Sequence, residues 1–86
     1  MPEPDAAMPV AAAVLAAIAE TAGRDAGDIL PEHDLARDLG IDSLEFVRLV
    51  QIVEDNAGVI LSDEHLAAVV TVADLVALVQ TATTTT

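Results

Sequence analysis

Asp42-Ser43-Leu44-Glu45-Phe46-Val47-Arg48-Leu49-Val50 opens a stretch that runs on through Val53 and Ala57 to Gly58. Phe46, Leu49, Val50, Val53 and Ala57 recur at helical spacing and so share one face. Asp42 and Glu45 stand three residues apart at its start, the spacing of a capping box with Asp in place of the usual Ser or Thr. Gly58 offers a left-handed stop. This spacing predicts a helix whose aliphatic face must be buried, so the chain on either side has to supply partners.

Upstream, Val10, Val14, Ile18 and Ala22 recur every four residues, which predicts a helix over about 7–22. Pro9 suits its first turn and Gly23 its end. Arg24 to Asp42 is a long connection holding Gly27, Pro31 and Gly40. Loops of that length in a small domain are commonly functional. Ile29, Leu30, Leu35, Leu39 and Ile41 are expected to pin it to the helices, with a helical turn near Leu35–Asp38.

Downstream, Ser62 before Asp63 and Glu64 predicts a capped short helix. Thr71 with Asp74 opens another, with Val72, Leu75, Val76 and Val79 as its buried stripe. Neither a strand-like alternation nor an internal repeat competes with this reading. The expected fold is all-α: a four-helix bundle of three longer helices and one short one, with a long first loop. Residues 1–6 read as a flexible tail, 7–81 as the domain and 82–86 as a flexible threonine-rich tail.

Composition narrows the function. Fifteen acids against three arginines give a formal charge of −12 on 86 residues. Such a surface disfavours nucleic acid and anionic membranes, both of which need basic patches; charge alone suits basic protein partners and mere solubility about equally. A hydrophobic content of 53% nonetheless supports a core, and with Phe46 the only aromatic residue that core must be aliphatic. Cysteine is absent, which removes disulfides, thiolate metal sites and cysteine nucleophiles. The alanine-rich run 6–19 is too short to span a membrane. Acidic residues precede it where a signal peptide has basic ones. A cytoplasmic, monomeric protein is expected.

Few side chains could carry chemistry. A serine hydrolase would need a base and an oxyanion hole around Ser43 or Ser62, and nothing in the spacing links His33 or His65 to Ser43. Glu32-His33-Asp34 and Asp63-Glu64-His65 lack the spacing of metal ligands. No catalytic residue and no metal site are expected. Ser43 differs by its place, in the first turn of the central helix directly after the long loop. An anion esterified there would meet free backbone N–H groups and the positive helix end, although Asp42 and Glu45 oppose it. Spacing alone favours the plainer reading, that Ser43 only occupies an early helix position it tolerates well.

Asp38-Leu39-Gly40-Ile41-Asp42-Ser43-Leu44 resembles the phosphopantetheine attachment motif of the acyl carrier protein family. Ile29-Leu30-Pro31-Glu32 resembles the family's first connection and Phe46-Val47-Arg48-Leu49-Val50 its second helix. Ser62-Asp63-Glu64 and Thr71-Val72-Ala73-Asp74-Leu75 resemble the starts of the third and fourth. The resemblance covers roughly 10–80. It implies a stand-alone carrier, not an enzyme, with 4′-phosphopantetheine attached to Ser43 from coenzyme A by a phosphopantetheinyl transferase. Gly40, Asp42 and Leu44 belong to the same motif. Acyl groups would ride on the arm as thioesters.

Further partners implied are acyl-loading and acyl-processing enzymes with basic docking surfaces. The expected docking face comprises Leu44, Val47 and Gln51, which helical geometry turns away from the core, with Glu45, Arg48, Glu54 and Asp55 around them. Carriers of fatty acid synthesis usually have an acid where Arg48 stands. Arg48 either pairs with Glu45 or Asp55 or alters partner choice. The departure favours a polyketide or other specialised pathway, with fatty acid synthesis still open. A peptidyl, aminoacyl or aryl carrier on the same fold is an alternative, as is an acidic interaction module without an arm.

Overall fold

The computed structural model describes residues 10–84. Among the described residues four helices follow one another: α1 (Val10–Ala22), α2 (Ser43–Ala57), α3 (Asp63–Leu66) and α4 (Val72–Thr84). A 3₁₀ turn, Ala26–Asp28, interrupts the first loop. The expected bundle of three longer helices and one short one is what the chain forms. The tail 1–6 and Pro9 lie outside the described residues.

Each helix begins and ends for a local reason. Gly58, at φ +70°, ends α2 with its own N–H and that of Val59 on the Glu54 carbonyl, a left-handed geometry that glycine adopts without a Cβ penalty. Ser62 caps α3 by accepting the His65 N–H at 3.2 Å. Thr71 Oγ1 accepts the Asp74 N–H at 3.1 Å, and the Asp74 carboxylate returns the bond to the Thr71 N–H at 3.1 Å. α4 then continues through Thr84, so 82–84 are helical rather than part of a tail. Threonine is only a modest helix former, but a helix already anchored by Val79 propagates at small cost. Thr83 Oγ1 also donates to the Gln80 carbonyl at 2.9 Å.

α1 packs against both α2 and α4. Val14, Ile18, Leu49, Val53, Val72, Leu75 and Val79 are fully buried, forming the aliphatic core that the composition requires. Phe46, Val76 and Ala57 lie only half-buried at its margin. Ile29, Leu35, Leu39 and Ile41 of the long loop join the core, as expected. Leu30 does not: it is exposed, with its N–H donated to His33 Nδ1 at 3.0 Å.

The long loop is held by more than its apolar side chains. The Leu35 N–H donates to the Val70 carbonyl at 3.0 Å, the Val72 N–H to the His33 carbonyl at 3.0 Å, and the Ala73 N–H to the Pro31 carbonyl at 2.9 Å. Asp34 and Thr71 form an isolated antiparallel bridge at this seam. The seam ties the loop that precedes α2 to the entrance of α4.

Candidate functional site

Ser43 is the first residue of α2, and its exposure follows from how the chain reaches it. Residues 35–39 form a hydrogen-bonded turn rather than a helix, with the Asp38 N–H on the Asp34 carbonyl at 2.9 Å and the Gly40 N–H on the Ala36 carbonyl at 3.1 Å. Gly40 then takes a φ of +69°, which L side chains rarely adopt. That reversal sends Ile41 into the core, its N–H on the Leu35 carbonyl at 3.0 Å. Asp42 is left extended as the N-cap.

The capping box read from the sequence is present. Asp42 Oδ1 accepts the Glu45 N–H at 2.8 Å, and Glu45 Oε1 accepts the Asp42 N–H at 3.2 Å. Both acids beside Ser43 are therefore bonded to backbone. The Ser43 hydroxyl is exposed and makes no hydrogen bond among the described residues. The N–H groups of Ser43 and Leu44 likewise find no acceptor, as the first N–H groups of a helix lack partners within it.

An open cleft of about 800 Å³ lies beside Ser43. Leu35 and Arg37 of the turn, Phe46 and Val47 of α2, and Val69 and Val70 ahead of α4 line it. A second, of about 400 Å³, opens on the other side of Phe46 and Val47, toward Leu66 of α3. The Val69–Val70 wall had no signal in the sequence, because it reaches the site only through the backbone seam.

On the expected docking face, Leu44 is 76% and Val47 54% exposed. Arg48, Gln51 and Asp55 are also exposed. Two acids of that face are bonded to backbone. Glu45 is half-buried and folded back into its cap, and half-buried Glu54 accepts the Leu61 N–H on Oε2 at 2.8 Å. Arg48 forms no ion pair with Glu45 or Asp55 among the described residues, since the cap already engages Glu45.

Neither histidine lines the Ser43 cleft. Ser62 Oγ lies 2.8 Å from His65 Nδ1, a contact local to the α3 cap. No group of three or more metal-ligating side chains comes together among the described residues. No described helix is long and apolar enough to cross a membrane. One carboxyl is clearly perturbed: the Thr71 and Val70 N–H groups hold Asp74 below the usual carboxylate range.

The family model described as a phosphopantetheine attachment site matches residues 12–79. An acyl carrier protein of Helicobacter pylori is 37% identical over 67 residues, which cover 78% of this chain and 86% of that protein. One from Exiguobacterium is 38% identical over 65 residues, 76% of this chain and 82% of its own. A meromycolate extension acyl carrier protein of Mycobacterium tuberculosis is 39% identical over 71 residues, 83% of this chain and 62% of its own. The match spans all four helices and the turn that presents Ser43, and the chain belongs to the acyl carrier protein family, whose members hold 4′-phosphopantetheine covalently.

Proposed function

We propose that Ser43 is the attachment point of 4′-phosphopantetheine and that the chain carries acyl groups in a polyketide or other specialised pathway, catalysing nothing itself. The observation that supports this most directly is the Ser43 hydroxyl, exposed and unbonded at the head of α2. The donor set fits a phosphodiester: two unpaired N–H groups sit at the positive helix end, and a guanidinium lines the adjoining cleft. When bound, the arm supplies the terminal thiol that this cysteine-free chain lacks.

The chain's own part is presentation. α2 holds Ser43 rigidly through the capping box, while Leu44 and Val47 offer exposed apolar contact beside it. The surrounding negative charge steers basic surfaces of the transferase and of acyl-loading enzymes toward this end. Arg48, exposed and unpaired, supports a partner set other than that of bulk fatty acid synthesis. The chain works as a monomer in the cytoplasm.

Incubation with coenzyme A, magnesium and a broad-specificity phosphopantetheinyl transferase tests the assignment. Intact mass should rise by one phosphopantetheine, mapped to the peptide holding Ser43, and Ser43→Ala should stay folded without gaining mass. Modification that persists in Ser43→Ala, or that maps to Ser62, would sink it.

A further inference from the structure

Three arginines offset fifteen acids, and each has a different setting. Arg24 donates from Nη2 to the Asp38 carbonyl at 3.3 Å. Arg48 stands exposed on α2. Among the described residues Arg37 is the only cation lining the cleft beside Ser43. With Asp34, Asp38 and Asp42 all within a few residues of it, a carboxylate partner would be expected. Among the described residues the Arg37 guanidinium has none.

The reason lies in the backbone. Asp34 Oδ1 accepts the N–H groups of Ala36 and Arg37, each at 2.9 Å. Asp38 Oδ2 accepts the Asp34 N–H at 2.7 Å, and Asp42 Oδ1 the Glu45 N–H at 2.8 Å. Each of these three carboxylates is oriented through one of its oxygens toward backbone N–H groups of the turn or the cap. The guanidinium is left at the cleft with its side-chain donors unused.

The geometry points to Arg37 as the residue that holds the phosphodiester at Ser43, an inference that rests on Ser43 being the attachment point. A guanidinium presents a planar fork of donors that matches two phosphate oxygens at once. The unpaired N–H groups of Ser43 and Leu44 add the positive end of α2. Together they counter the repulsion from Asp34 and Asp42 that would otherwise act on an anion here. Arg37 thus acts as a positioning residue for the root of the arm, and the cleft wall of Ile41, Phe46 and Val70 gives that root a fixed direction.

Phosphorus NMR of the loaded protein tests this. Wild type, Arg37→Ala, Arg37→Lys and Arg48→Ala are loaded from coenzyme A, and the mass gain and amide spectrum of each are checked first. In wild type the phosphodiester line should be broader than in Arg37→Ala and displaced from it. Arg37→Lys, which keeps the charge but loses the fork, should restore only part of the difference, and Arg48→Ala should match wild type. Adding 1 M salt, where the Debye length is about 3 Å, should bring wild type toward Arg37→Ala. Identical position and width in wild type and Arg37→Ala would overturn the role of Arg37 while leaving attachment intact. Absence of any mass gain on Ser43 would overturn both.

Discussion

At Asp42, Leu44 and Asp74 single side chains have separable duties. Asp42 caps α2, so Asp42→Ala should cost about 1 kcal/mol, as loss of an N-cap typically does. In a domain of this size that lowers the thermal midpoint by roughly 4–8 °C, readable by circular dichroism. Leu44 is mostly solvent-exposed, so Leu44→Ala should stay within about 0.5 kcal/mol of wild type while slowing phosphopantetheine transfer. A large fall in midpoint with normal transfer would place Leu44 in the core instead. Asp74 brings pH dependence. Its carboxylate is favoured in the folded state by the Thr71 and Val70 N–H groups, so its contribution is present above the unfolded carboxyl value of about 3.9 and is lost as pH falls through the lowered folded value. The midpoint difference between wild type and Asp74→Ala should hold steady from neutral pH down to about 3.9, then narrow and close as pH falls through the lowered folded value. A difference that widens in acid would contradict the cap. Ser43 was legible as a candidate because cap spacing and loop length are both visible in the chain. The engagement of Glu54 by the Leu61 N–H was not, since a carboxylate's partner depends on where a loop returns.

Between the helices, the turn over 35–39 and the reversal at Gly40 set the direction from which the chain enters α2. No atom lies within 4 Å of the position a Gly40 Cβ would take, so the obstacle to a side chain there is the left-handed backbone alone. Gly40→Ala should therefore cost about 1–2 kcal/mol, and Gly40→Asn, better tolerated at positive φ, should recover part of it. Gly27→Ala is the control, because its surroundings are equally open without a positive φ. Equal effects at the two glycines would show that the reversal carries no strain. The helices themselves were readable from period and caps, signals contained within a few residues. The seam joining Pro31–Leu35 to Val70–Ala73 was not, because it pairs segments distant in sequence through backbone groups that leave no mark on side-chain pattern. The same blindness hid Val69 and Val70 as a wall of the cleft. The helical continuation of α4 through Thr84 was obscured for another reason: a polar threonine run resembles a tail, and only attachment to a buried preceding turn makes it helical.

Across the whole molecule the dominant long-range term is self-repulsion, with a formal net charge of −12 on 86 residues; the folded body has a radius of gyration of 12.3 Å. Unfolding separates those charges, so repulsion favours the unfolded chain. The Debye length is about 30 Å at 0.01 M salt and about 10 Å at 0.1 M. In the first condition every acid therefore feels every other across the fold, and in the second only near neighbours do. The thermal midpoint should rise over that interval and then level off, because further salt has little remaining repulsion to screen. Magnesium should raise it further at equal ionic strength, since a divalent ion accumulates more strongly beside a highly negative surface. That rise should be gradual with concentration, because no group of three or more ligating side chains comes together among the described residues to hold one ion. The chain has neither tyrosine nor tryptophan, so far-ultraviolet circular dichroism is the suitable probe. Two results would revise this account. A midpoint unchanged between low and moderate salt would mean that backbone N–H groups already compensate the acids, as they do at Asp34, Asp42 and Asp74. A sharp saturating response to micromolar magnesium would reveal a discrete ion site instead of diffuse screening.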